Sequence, residues 1–366
     1  MDESTPPAAD DVHALLERDE HGELALAVDR LRAATPEERK EAIRSLRAAV
    51  EADSAPGADS TVEAGSAVDL QGMAALEPFL DDDERAVRLT TAKLFVAVAE
   101  ADPDAVAPAV ESLAARLADE DEFYYVRARS AEALGYVALE HPEAVATPEL
   151  LADLRVGLEF DEPEVAEKLA KTLAFVALGD PGRLRHQTGR LAEHLDDGGV
   201  LVRYHLTTAL VAVGAVHPGS LADASEALVA RLDDSNPYVR GRAAEALGLL
   251  AEEDDRDTEN PGEDGDEDGG ADVPAIPVTE LADLADSDES FVADRARFAM
   301  DQHSLEDAPD QSTGGELPGT IDSVRRSTEA AVDELTSPDA DGECPHCGLE
   351  LPEQGPPMCP RCGAPR

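Results

Sequence analysis

One pattern limits what this chain can fold into. Valines at 87, 126, 165, 202 and 239 open five segments of the same apolar spacing, at intervals of 39, 39, 37 and 37 residues. Positions +4, +7, +8 and +11 from each anchor are apolar or small: Thr91, Leu94, Phe95 and Val98 in the first, Ala243, Ala246, Leu247 and Leu250 in the fifth. Those offsets share one face of a helix and would fall on both sides of a strand. Before each anchor an acidic turn closes another amphipathic stretch, as in 105–117, 148–158 and 221–232, and Pro103, Pro142, Pro181 and Pro218 follow the units. A helix, turn, helix unit of this size buries its stripe only by stacking on its neighbours. The expected fold class is therefore all-α, a solenoid of helical hairpins.

The best-formed units are Val126-Arg127 with Ala131, Ala133, Leu134 and Gly135, and Val239-Arg240 with Ala243, Ala244, Ala246, Leu247 and Gly248. They resemble the HEAT family, specifically its short repeats written as acidic turn, x-Val-Arg, Ala-Ala-x-Ala-Leu-Gly. The resemblance covers about half the chain; the third unit departs from it with Ala166 in place of the expected Arg. It implies an α-solenoid of HEAT-like hairpins whose role is to hold other proteins. Bilin lyases use the same short repeat, and a bilin-lyase-like or other modifying enzyme is the alternative it brings; the shared residues are core residues, so they transfer fold and not activity. HEAT-type di-iron hydroxylases hold metal through His-Glu dipeptides, and none of the nine histidines here precedes a Glu. No G-x-S-x-G, Walker or dinucleotide motif is present. His141 and His217, each just before a proline, read as cations at helix C-termini rather than as a catalytic pair. The expectation is a non-enzyme.

Around the array the chain divides as follows. Residues 1–10 read as disordered and 11–53 as an N-terminal helical hairpin, whose second helix starts at Thr35-Pro36-Glu37-Glu38, a capping-box pattern. A Ser/Gly/Ala-rich linker, 54–67, precedes the repeats at 68–253. An acid- and Gly-rich linker, 254–274, leads to a degenerate capping repeat at 275–303. Residues 304–343 read as a tether containing a short amphipathic helix at 321–335, and 344–366 as a separate metal-binding segment.

Charge separates the candidate partners. The chain has 81 Asp+Glu against 30 Lys+Arg, a net charge of −51, and only four of the cations are lysines. This composition is similar to that of proteins adapted to a high-salt cytoplasm, where surface carboxylates hold water and solubility rather than a ligand. No apolar run approaches the roughly 18 residues of a membrane span. The first ten residues carry no basic, apolar leader pattern, so the expected location is cytoplasmic, with no membrane partner.

Two features carry chemistry. Cys344, Cys347, Cys359 and Cys362 form two C-x-x-C pairs, the spacing with which a zinc ribbon closes a tetrahedral thiolate shell. Four thiolates leave no open position, so structural Zn2+ is the expected cofactor; a rubredoxin-like iron is the alternative. The second feature is a row of cations at +1 and +3 from the anchors: Arg127, Arg129, Lys168, Arg203, His205, Arg240 and Arg242, with Arg88 in the first unit. It reads either as an inter-repeat ladder with turn acids such as Asp83, Asp121, Asp161, Asp197 and Asp234, or as a surface for a protein partner. Nucleic acid is the alternative partner. At about 1 M salt the Debye length is only about 3 Å, so it would have to be held by short-range contacts.

Overall fold

The computed structural model describes residues 21–53, 70–159, 162–196, 199–259, 277–303 and 318–336. The four cysteines, residues 1–10 and the 54–67 linker lie outside these. The described residues are helices and turns, and no strand occurs among them. The chain divides into two compact units, Met1–Gly157 and Leu158–Arg366.

The first unit begins with the hairpin α1 (His21–Ala33) and α2 (Pro36–Asp53). The capping box at its turn forms in full. The Glu38 carboxylate accepts from the Thr35 backbone N–H at 2.8 Å and from its hydroxyl at 2.7 Å, while the Glu38 N–H donates to the Thr35 hydroxyl oxygen at 3.4 Å. These bonds hold the Glu38 carboxyl below its ordinary range. A 3-10 segment, Leu70–Asp81, then pairs with α3 (Arg85–Ala101), and α4 (Val110–Ala118) with α5 (Tyr124–Glu140); α6 (Pro148–Val156) follows. The 3-10 segment stands where an α-helix was expected, and Pro78 lies inside it, removing a donor from any α ladder there.

The second unit runs α7 (Pro163–Gly179), α8 (Thr188–Ala192), α9 (Val200–Gly214), α10 (Ser225–Arg231), α11 (Pro237–Glu259), α12 (Val278–Ala285), α13 (Ser290–His303) and α14 (Ile321–Thr336). Asn236 caps α11, accepting from the N–H groups of Tyr238 at 2.9 Å and Val239 at 3.4 Å, with Pro237 preset at the first helical position. The helix does not stop at 253. It is described as far as Glu259, residues 252–259 containing no helix breaker.

Helices that open on an anchor valine are the long ones. α5, α9 and α11 have 17, 15 and 23 residues, whereas their hairpin partners α4, α8 and α10 have 9, 5 and 7. Every anchor and every +4, +7, +8 and +11 residue in the five repeats is buried, from Val87 and Thr91 to Leu247 and Leu250. Each such Val or Leu contributes roughly 1.5–3 kcal/mol on burial, so the stripe is what holds the stack. The two threonines on it lose no hydrogen bond: Thr91 and Thr172 donate to the carbonyls of Val87 and Lys168 one turn back. The architecture is an all-α helical-repeat solenoid.

Candidate functional site

The +1 cations make the ladder. Arg88 grips Glu122 through Nε and Nη2 at 2.6 and 2.9 Å, and Arg203 grips Asp234 at 2.8 and 3.0 Å. Arg240 bonds Glu289, and Arg39 of the preceding hairpin pairs with Asp82, its Nη2 donating at 3.0 Å. Each acid sits in the turn before the next long helix, so each rung ties one hairpin to its successor with a charge-assisted bond. The Glu122 hydrogen bond is the main reason the Arg88 guanidinium is held above its ordinary range, outweighing burial. Of the acids expected, Asp234 forms a rung. Asp82 and Glu122 replace Asp83 and Asp121: Asp82 turns inward to accept the Glu84 N–H at 2.9 Å, and the longer Glu122 reaches Arg88 from the turn. Asp161 and Asp197 lie outside the described residues. Arg127 donates to the Leu117 carbonyl at 2.9 Å, satisfying an otherwise free acceptor at the end of α4.

The +3 cations project differently. Arg129 donates to Glu132 at 2.7 Å and Lys168 to Glu167 at 2.9 Å, both half-buried. His205 is fully buried beside the Tyr204 ring. Arg242 has no exposed surface at all, yet makes five hydrogen bonds: to Glu245 at 2.7 Å, to the Tyr204 hydroxyl at 3.5 Å, and three to α14. Those three acceptors are the Val324 carbonyl at 3.1 Å, Ser327 Oγ at 2.9 Å and Thr328 Oγ1 at 3.0 Å.

Around Arg242 one carboxylate serves two guanidiniums. Glu245, equally buried, also accepts from Arg295 Nε at 2.9 Å and from the Gly319 N–H at 2.8 Å. Burial pushes the Glu245 carboxyl up, but the Arg242 and Arg295 charges and the Gly319 bond outweigh it and hold the group below the ordinary value. Arg295 lies 3.5 Å over the Phe291 ring. Burial lowers its guanidinium's affinity for the proton despite Glu245. A buried ion triad of this kind persists because the carboxylate is shared by both guanidiniums and neutral oxygens of Tyr204 and α14 take up further Arg242 donors.

The segment that covers it is the short helix expected within a tether. α14 crosses the long helices of the second unit. Arg325 donates to the Leu178 carbonyl at the C-terminus of α7, at 2.9 Å, and Glu334 bonds the Tyr238 hydroxyl at the start of α11. Burial and then the Glu334 bond raise the Tyr238 phenol above its ordinary range. Between those ends Val324, Thr328 and Ala331 are buried, Ala331 packing on Tyr204 and Val239, with Val332 and Leu335 beside them. The surface under α14 explains a peculiarity of α9, in which every residue from Leu201 to Gly214 is buried. A helix this rich in apolar residues and buried on all sides must be covered on all sides.

The proposed partner-facing residues thus divide. Arg127, Arg129, Lys168 and Arg240 keep part of their surface, whereas Arg203, His205 and Arg242 are buried, the first by its rung and Arg242 beneath α14. The sequence reading missed Glu245, Arg295, Tyr204 and Gly319. The apolar residues on every side of α9, Leu201, Val202, Leu206 and residues 209–213, were the available signal. His217 lines an open cleft of about 560 Å³ with Arg185, His186 and Asp223, while His141 pairs with Asp104. Among the described residues no three His, Cys, Asp or Glu side chains are placed to hold a metal ion, and no helix is long and apolar enough to cross a membrane.

No family model and no curated protein matches the chain. Solved structures do. A designed armadillo repeat protein is 19% identical with a TM-score of 0.51, covering 64% of this chain and 100% of its own. An engineered protein is 20% identical with a TM-score of 0.51 over 91% of this chain and 85% of its own. A designed armadillo repeat protein in complex with the peptide (KR)4 is 20% identical, with a TM-score of 0.50 over 62% and 99%. At such identities the likeness is one of fold: stacked helical repeats.

Proposed function

We propose that this protein is a non-enzymatic interaction scaffold, built on HEAT-type repeats, that holds a segment of a partner protein on the surface lined by its long helices. The observation that carries the reading is the seat of α14. That surface holds a separate helix through bonds to its backbone carbonyl and hydroxyls, which is what recognition of a peptide segment requires. A designed repeat protein of similar fold was solved with a bound peptide, which supports the same use of the architecture. The cations named for nucleic acid are engaged with acids in Arg88–Glu122, Arg203–Asp234, Arg240–Glu289 and Arg242–Glu245, so they favour a protein partner over a polyanion.

In the same reading, Cys344, Cys347, Cys359 and Cys362 hold a structural zinc ion in a terminal ribbon that serves as an auxiliary docking module. Four soft thiolates with no open position fit zinc, which would organise that segment and supply no reaction. The acidic, Lys-poor surface suits a salt-rich cytoplasm. The test is purification from a high-salt lysate, comparing the natural chain with Arg129→Ala and Lys168→Ala. A protein recovered with the natural chain and lost from both variants, at unchanged helix content, supports the scaffold; recovery that ignores both substitutions removes it. Metal analysis of the same sample gives about one zinc per chain if the ribbon forms.

A further inference from the structure

We propose that α14 is a stand-in ligand: it occupies in cis a seat whose other occupant is a partner protein's helix of the same chemistry, and binding of that helix displaces it. The inference rests on the scaffold reading above and specifies its partner.

Three observations lead to it. First, α14 does not lie over the last hairpin as a cap would. It runs back across the array, meeting Leu178 of α7, Tyr204 of α9, and Tyr238, Val239 and Arg242 of α11. A ligand of a repeat array is read in this way, across successive units.

Second, α14 carries the array's own pattern. Taking Val324 as anchor, Thr328, Ala331, Val332 and Leu335 fall at +4, +7, +8 and +11, and Arg325 at +1. The stripe that elsewhere stacks a helix against its neighbouring repeat is here set against the +3 surface, and its first three members are buried there. Recognition therefore asks for a helix with this stripe, hydroxyl residues opposite Arg242, a cation facing the carbonyl end of α7 and a carboxylate reaching Tyr238.

Third, the seat contacts features any such helix would bring. Arg242 donates to a main-chain carbonyl and to two hydroxyls that already bond their own helix: Ser327 donates to the Ser323 carbonyl at 2.6 Å and Thr328 to the Val324 carbonyl at 2.6 Å. Glu245 binds a backbone N–H just ahead of the helix. Nothing in this set requires the incoming helix to belong to the same chain.

The experiment uses the full chain and a labelled synthetic peptide of residues 318–336 as probe, followed by fluorescence anisotropy in high salt. The cis helix acts as a competitor at high local concentration, so the natural chain binds the peptide weakly. Val324→Asp and Ala331→Arg each unseat the cis helix and leave the seat intact. Both are expected to bind the natural peptide at least about tenfold more tightly, and adding Arg242→Ala to either removes the gain. No gain in either variant, at helix content and melting temperature close to those of the natural chain, overturns the proposal. Collapse of the whole array in both variants also overturns it, since α14 is then an integral part of the stack. A natural chain that is dimeric by light scattering and that the peptide converts to monomers assigns the seat to a second copy's α14, which overturns the cis arrangement. A native partner lost on Arg129→Ala and Lys168→Ala without any peptide gain sinks this inference alone. A peptide gain without such a partner sinks the scaffold reading.

Discussion

Helices α5 and α11 carry nearly the same sequence, VRARSAEALG from Val126 and VRGRAAEALG from Val239, and meet different surroundings. In each an arginine at +3 bonds a glutamate one turn on, at 2.7 Å. In α5 the arginine side chain keeps 23% of its surface; in α11 both side chains keep none. One of the two sequence differences bears directly on this. Where α5 has Ala128, α11 has Gly241, and a Cβ there would lie 2.6 Å from Phe291 Cδ1. The missing methyl lets Phe291 sit against α11 and carry Arg295 to Glu245, while α14 closes the site from above. A local motif thus sets which pair forms, and the elements packed on it decide whether that pair is a solvated contact or the centre of a buried network.

The sharpest break in the comparison is Arg242→Ala against Arg129→Ala. Removing Arg242 leaves Glu245 with Arg295 and the Gly319 N–H, but it empties a fully buried position and leaves the three α14 acceptors without their donor, and is expected to destabilise the second unit by about 3 kcal/mol. Arg129→Ala removes a partly solvated contact and is expected to cost about 1 kcal/mol or less. Urea unfolding followed by circular dichroism measures both, and equal losses would show that the cover adds nothing. The same carboxylate sets an acid limit. Because the folded site depresses Glu245, its stabilisation is present above the ordinary value of 4.5 and disappears as the pH falls through its lower folded value. Tyr204 and Tyr238 are expected to keep their near-ultraviolet dichroism at pH values where ordinary carboxylates are already protonated, then to lose it with release of α14.

Gly241→Ala makes α11 match α5 at the position that differs. The new methyl forces Phe291 and its stacked Arg295 outward, at an expected cost of about 1–3 kcal/mol. Ala128→Gly in α5 displaces no ring and is expected to cost the helix propensity difference plus the loss of one buried methyl, about 1–2 kcal/mol. Melting curves of the two variants compare them directly; similar shifts would mean that Gly241 is not what admits Phe291.

Most of the scaffold could be read before any coordinates, because the +4, +7, +8, +11 stripe is a local property and every position it named is buried. The arginine ladder was legible in kind but not in register. Whether Asp82 or Asp83 faces inward is set by a turn hydrogen bond to the Glu84 N–H, and no periodicity encodes that. The seat of α14 was not legible. Its stripe shows that Ile321–Thr336 buries a face, but the surface that receives it is assembled from Leu178, Tyr204, Val239 and Arg242, which share no neighbourhood in sequence. The extra apolar residues of α9 and the glycine at 319 were its traces.

Gly319 offers the next test. It adopts φ +86°, a region open to glycine, and a Cβ would meet Phe298 Cζ at 2.6 Å while its N–H binds Glu245. Gly319→Ala is expected to cost about 1–3 kcal/mol, concentrated in α14. Hydrogen exchange should accelerate at Val324–Ala331 and remain unchanged in α5, which has no such cover among the described residues. Acceleration throughout both units would mean that α14 supports the whole stack.

The finest distinction lies between two hydroxyls that accept from the same guanidinium. Thr328 is buried and Ser327 is half-buried, at 3.0 and 2.9 Å from Arg242 Nη2. Replacing Ser327 with Ala leaves that nitrogen the Val324 carbonyl and Thr328, and water can reach the vacated position. The expected loss is at most about 0.5–1 kcal/mol. Thr328→Val keeps the shape and removes only the oxygen, from a place water does not reach, so its expected loss is larger, about 1–2 kcal/mol. If Ser327→Ala proves the costlier of the two in denaturant titrations, Arg242 draws its hold on α14 from the rim of the seat rather than from its buried centre. The contrast with Arg129 would then rest on the number of acceptors, not on the exclusion of water.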